Sequence, residues 1–158
     1  MPADRNLKFE RSNHALTFVR QFDASAEQVY RAHTEPKLIQ KWLLGPPGWS
    51  MPECTHENRI GGTYRYVWAH PDEQGFGIGG TILDLKPGTR IVHTEFFDGV
   101  DMGGETIVTT HFDEDGGVTT MRMCVIYDNP DVIEAALATG MTDGMQMSYE
   151  NLDRLVAN

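Results

Sequence analysis

In the stretch RIGGTYRYVWAH (Arg59–His70), Tyr64, Tyr66 and Trp68 fall at every second position, with Arg65 and Val67 between them. On a strand, successive side chains alternate between faces, so the three aromatics would share one face of a sheet. Tyrosine and tryptophan offer broad stacking surface with a hydrogen-bonding tip, which suits them to hold a small molecule. The same tips need protein partners if the rings are only core. For Tyr64, next to the GG turn, simple packing is the expectation. The other sites of possible chemistry are weaker. GFGIGG satisfies G-x-G-x-x-G through Gly75, Gly77 and Gly80, but TILDLKPG follows it, so no helix can open there to receive a pyrophosphate. A glycine-rich strand, bent over a cavity or a neighbouring helix, is expected instead.

Six histidines are present, none in an H-x-H or H-x-x-x-H pair. Zinc needs three or four converging ligands, so His56, His70, His93 and His111 read as surface or hydrogen-bonded groups, and no metal or cofactor is expected. Cys54 and Cys124 have no basic neighbours and no G-x-S-x-G occurs, which leaves no nucleophile motif. Asp98, Asp101 and Glu105 gather in FDGVDMGGE, a turn-rich loop where carboxylates are solvated. Division into acid and base would require that their environments differ. No catalytic residue is assigned.

The elements that position these residues are set by periodicity. Ala15–Phe22 alternates as a strand, and Ser25 with Gln28 has the spacing of a capping box. A short helix follows, then Pro36 and a second short helical run that ends at LGPPG. Period two then dominates: Ser50–His56, Thr63–His70, Gly77–Leu85, Arg90–Phe97, Glu105–Phe112 and Val118–Tyr127 are separated by short turn signals, as in an antiparallel meander. After DNP the chain is helical to its end, with Met141, Met145, Ser148, Leu152 and Leu155 on one stripe. Gly140 and Gly144 within it predict a bend or a close approach to another backbone.

This long amphipathic helix is the element available to cover an antiparallel sheet of six to seven strands, which makes the class α+β. Charges mark the outside of the sheet. Arg65 outward places Tyr64, Tyr66 and Trp68 inward, and Arg122 outward places Met121, Met123, Val125 and Tyr127 inward. Val108, Thr110 and Phe112 are the inward set of their strand. The resulting interior, Tyr66, Trp68, Phe112, Met121, Met123, Tyr127, Met141 and Met145, is mixed and polarisable. Trp42 either caps one end of it or pins the proline-rich loop, and pinning is the expectation for Trp49.

Composition bounds the rest. The chain has 158 residues, 40% hydrophobic and 23% charged, as expected of one soluble domain. Residues 1–14 read as a loosely ordered leading segment. A formal charge of −10 disfavours nucleic acid and anionic membranes, and no run of about 18 apolar residues occurs. Two unpaired thiols suit a reduced cytoplasmic setting.

FVRQFDASAEQVYRAHTEPKLIQKWL, NRIGGTYRYVW, GGTILDLKPGTRIVHTEFF and ATGMTDGMQMSYENLDRL, in that order, resemble bacterial proteins similar to the C-terminal domain of the activator of heat-shock protein 90 ATPase. These belong to the SRPBCC, or START-like, superfamily, and the resemblance runs from Ala15 to Val156. It implies a helix-grip fold, a curved sheet wrapped around the C-terminal helix with a cavity between. It also implies that Trp42, Tyr66, Trp68, Phe112, Met121, Met123, Tyr127, Met141 and Met145 line that cavity and contact a hydrophobic small molecule. Three functions follow in order of preference. The first is non-catalytic binding of a hydrophobic or aromatic ligand. The second is an enzyme of the cyclase or dehydratase kind, which would need Tyr127, Asp84 or Glu95 to face inward. The third is a surface that engages a chaperone, as the cochaperone domain does. A homodimer is compatible with each.

Overall fold

The computed structural model of the chain describes residues 2–157. β1 (Lys8–Arg11), within the leading segment expected to be loosely ordered, pairs antiparallel with β2 (Ala15–Phe22). Phe9 holds it by packing on Phe18, with ring centroids 6.1 Å apart. Ser25 then caps α1 (Ala26–Thr34): its Oγ accepts from the Gln28 N–H, and the Gln28 side chain accepts from the Ser25 N–H. Glu35, forced toward extended backbone by the proline after it, ends α1, and Pro36 opens α2 (Pro36–Trp42).

The meander runs through β3 (Ser50–His56), β4 (Thr63–Ala69), β5 (Phe76–Lys86), β6 (Arg90–Thr94), β7 (Phe96–Phe97), β8 (Thr106–Asp115) and β9 (Val118–Tyr127). All pairings are antiparallel, in the order β1-β2-β9-β8-β6-β5-β4-β3, with β7 against β5. The sheet is curved and unclosed, with nine strands rather than six to seven. The additional strands are β1 and β7, too short to give an alternating signal of their own. The segment expected as one strand from Arg90 to Phe97 is interrupted at Glu95.

The glycine-rich stretch is strand, as its lack of a following helix required. A Cβ at Gly80 would run into the carbonyl oxygen of Thr94, so glycine is what allows the β6–β7 segment to lie so close to β5.

The C-terminal helix is two helices, α3 (Asp131–Ala138) and α4 (Met141–Val156), broken at Gly140, whose φ of 78° is left-handed. A Cβ at Gly144, inside α4, would meet only Pro46 Cδ at an ordinary 4.0 Å, so no close approach requires glycine there. α4 lays Ser148, Tyr149 and Leu152 into the interior. It is fixed there by a group that alternation hid: Arg20 of β2 points inward and is 1% exposed. Its guanidinium donates twice to the Asp153 carboxylate, at 2.7 Å each, and lies 4.8 Å from the Phe22 ring centroid.

Candidate functional site

The strand registers bring a mixed set of side chains to the face of the sheet that α4 covers. Cys54 and His56 of β3 stand opposite Tyr66 and Tyr64 of β4. On β6, Ile91 and His93 lie opposite Thr110 and Val108 of β8. Glu95, next on that face, pairs with Thr106 through its backbone N–H at 3.0 Å. Thr106, Val108, Thr110 and Phe112 in turn face Tyr127, Val125, Met123 and Met121 of β9.

Two hydrogen-bonded groups organise the tyrosines. The Tyr66 O–H donates to His56 Nδ1 (2.8 Å), and His56 Nε2–H donates to Asn58 Oδ1 (3.3 Å). Asn58 Nδ2 donates to the Tyr30 oxygen on α1 at 3.0 Å. In the second group, the Thr94 carbonyl accepts from the Tyr64 O–H (2.7 Å) and from His93 Nδ1 (2.9 Å). A carbonyl can only accept, so His93 carries its proton on Nδ1 and presents Nε2 as a bare acceptor. Burial pushes the His93 imidazole down to about 4, against the pull of its bond to Thr94. His33 of α1 is likewise pushed to about 4 by burial, with Nδ1 donating to the Val29 carbonyl at 2.7 Å. Burial lowers His56 as well.

Glu95 differs from every other acidic side chain on the protein. It is half-buried, and burial alone pushes its carboxyl up to about 7. Among the described residues its carboxylate makes no hydrogen bond or ion pair. Its charge is felt by its neighbours: Tyr127 is raised to about 12, first by burial and then by Glu95, and Tyr64 and Tyr66 are raised further still, mainly by burial. On the adjacent strand Thr106 Oγ1 is buried with no partner among the described residues.

The residues expected to line a cavity fall into two apolar clusters. Trp42, Tyr66, Trp68, Phe112 and Met121 belong to one, with Tyr149 and Leu152 of α4. Tyr127 belongs to the other, against which Met123 and Met141 pack, and Met145 touches both. Both buried indoles have their N–H satisfied by backbone: Trp42 donates to the Ala32 carbonyl (2.8 Å) and Trp68 to the Leu43 carbonyl (2.7 Å). Trp42 also stacks on Tyr149, tying α2 to α4. Trp49 pins the proline-rich loop through His70 and Phe76.

Of the three titratable candidates, Tyr127 and Glu95 face inward. Asp84 does not; a register shift after Ile82 turns it outward, where it pairs with Arg90 at 2.6 Å. The loop carboxylates divide no roles either: Asp98 is paired to Arg65 at 2.6 Å, and Asp101 caps the Gly103 N–H. His56 and His93 were missed as inward groups, although the alternation from Arg90 through Ile91 to His93 and Glu95 carried the signal. Among the described residues no three His, Cys, Asp or Glu side chains converge as metal ligands. An open depression of about 620 Å³ lies at the β4–β5 hairpin, lined by Trp68, Phe76, Gly77 and Asp98 among others. Trp68 is the one expected ligand contact in it.

A family model described as Activator of Hsp90 ATPase homolog 1-like protein matches residues 23–157. Among solved structures, a Rhodobacter sphaeroides protein is 32% identical, with a TM-score of 0.85 over 95% of this chain and 97% of that one. Protein Ms6760 from Mycobacterium smegmatis is 19% identical, with a TM-score of 0.86 over 99% and 98% of the two chains. An Arthrobacter aurescens protein is 22% identical, with a TM-score of 0.81 over 94% and 90%. No protein of curated function matches the chain. Among the described residues no helix is long and apolar enough to cross a membrane.

Proposed function

The chain belongs to the family of Activator of Hsp90 ATPase homolog 1-like proteins, and within its START-like fold we propose that it binds a small hydrophobic or aromatic molecule between the sheet and α4. One observation carries this reading. A core built only for stability pairs its buried ionisable groups, as Arg20 and Asp153 are paired here. Glu95 faces the same interior without a partner among the described residues, at a gap in the strand ladder. A pocket that is mostly apolar with a few polar groups aimed into it is the usual form of a small-molecule site. Tyr66, Trp68, Phe112 and Met121 on one side, and Tyr127, Met123, Met141 and Met145 on the other, would then enclose the ligand body. Trp42 would close the end at α2.

Native mass spectrometry of the protein purified from its own host, followed by organic extraction, tests this. A reproducible small-molecule adduct is expected, and it should be lost when Met145, which touches both clusters, becomes tryptophan. Protein that remains free of adduct and binds none of the probes named below would remove the reading.

Glu95 also favours a second reading, an acid–base enzyme. A carboxyl held near 7 is matched to proton transfer at neutral pH. An extracted ligand turned over by the protein and left intact by Glu95→Gln would support it. Release of the ligand unchanged would exclude it.

A further inference from the structure

The balance of donors and acceptors on the inner face is uneven. Several of its donors are spent within the protein: Tyr64 on the Thr94 carbonyl, Tyr66 on His56, His93 Nδ1 on Thr94, and Trp68 on Leu43. Among the described residues the Glu95 carboxylate and His93 Nε2 are left as unpartnered acceptors, beside the Thr106 hydroxyl, which can accept or donate. Charge is uneven in the same direction. Arg20 is the cation that the sheet turns inward, and Asp153 neutralises it; Glu95 has no such counter-charge.

From this geometry we infer that the ligand carries a basic nitrogen, an ammonium or amidinium group seated against Glu95, with its apolar or aromatic body lying over the inner tyrosines. The inference rests on the binding reading above and names the class of ligand for it. An ammonium supplies the positive charge that Glu95 has no partner for, and N–H donors for the free acceptors. Tyr64, Tyr66 and Tyr127 are near enough to feel the Glu95 charge, and an aromatic ring attracts a cation placed over its face. Thr106 Oγ1, one strand over and without a partner, can accept a second N–H. A net charge of −10 raises the local concentration of cations around the molecule. A carboxylate ligand would meet Glu95 with like charge. A neutral carbonyl brings no counter-charge, and it could bond to Glu95 only when that carboxyl is protonated.

The test is calorimetric titration of the full chain at about pH 8, where Glu95 is ionised, with 1-naphthylmethylamine, 1-naphthylmethanol and 1-naphthoate as size-matched probes. The amine is expected to bind at least about tenfold tighter than the alcohol, a difference of about 1.4 kcal/mol, and the naphthoate weakest. Glu95→Gln should bring amine and alcohol to parity, while Asp84→Asn, on the outer face, should leave the preference intact. An independent readout uses the unmutated protein: the amine should lower the midpoint of the Glu95 carboxyl titration followed by NMR, and the alcohol should not. If amine and alcohol bind equally, or if the preference survives Glu95→Gln, the charge assignment is wrong and the pocket stands. If none of the three binds, the pocket itself is absent.

Discussion

Glu95, His93 and His33 are held away from their ordinary protonation by the same cause, burial, but with opposite consequences for stability. Between about 4.5 and about 7 the folded protein keeps a proton on Glu95 that the unfolded chain releases, so stability falls as pH rises through that window. Glu95→Gln removes this dependence. In ligand-free protein the variant should match the parent near pH 4.5 and exceed it by about 3 kcal/mol above pH 7. Denaturant titrations at three pH values read the difference, and a gap that does not grow with pH would mean that Glu95 is solvated or paired. For His33 and His93 the folded state binds fewer protons than the unfolded chain between 6.5 and about 4. Their contribution is therefore complete above 6.5 and is lost as pH falls toward 4. His93→Gln should flatten the acid side of the stability profile; an unchanged acid limb would place that proton elsewhere.

At the scale of elements, the docking of α4 depends on β2 through one buried pair. Asp153→Asn leaves the Arg20 guanidinium buried with weakened compensation, and a loss of about 3–5 kcal/mol is expected. Replacing both partners with apolar residues, Arg20→Met with Asp153→Leu, should recover most of it. A double variant as unstable as the single one would show that the pair contributes more than mutual neutralisation. The β5 crossing is a second such point. Gly80→Ala drives a methyl into the Thr94 carbonyl, which also receives Tyr64 and His93. It should therefore destabilise by more than the roughly 1 kcal/mol that ordinary glycine replacements change. If Gly80→Ala is neutral in a thermal melt, the close approach is not rigid.

For the molecule as a whole, the interior is two apolar clusters rather than one continuous core. Met145, bridging both, is where added volume tells space from packing. If the clusters enclose room for a ligand, Met145→Trp should change unfolding free energy by less than about 1 kcal/mol. A filled interior would instead be strained by about 1–3 kcal/mol. The larger value, measured by denaturant unfolding, would speak against an open interior even before any ligand is sought.

Apart from the short β1 and β7, element types and their order were legible in the sequence, because period two, proline and glycine punctuation and the Ser25–Gln28 cap act over a few residues. β2, β3 and β9 have the boundaries that alternation predicts. Facing was legible wherever a charge marked the outside, as at Arg65 and Arg122. That rule fails at Arg20, because a charge can point inward if a distant residue neutralises it, and Asp153 lies 133 positions away. The break at Gly140 was foreshadowed by composition, but only the fold turned a glycine into a left-handed hinge between α3 and α4. The state of Glu95 was wholly tertiary. Its inward phase could be counted from Arg90, but nothing local states that no cation or hydrogen-bond donor will meet its carboxyl. Protonation and pairing depend on what the remaining strands and α4 bring to the same face, and that is decided only once the sheet has curved around the helix.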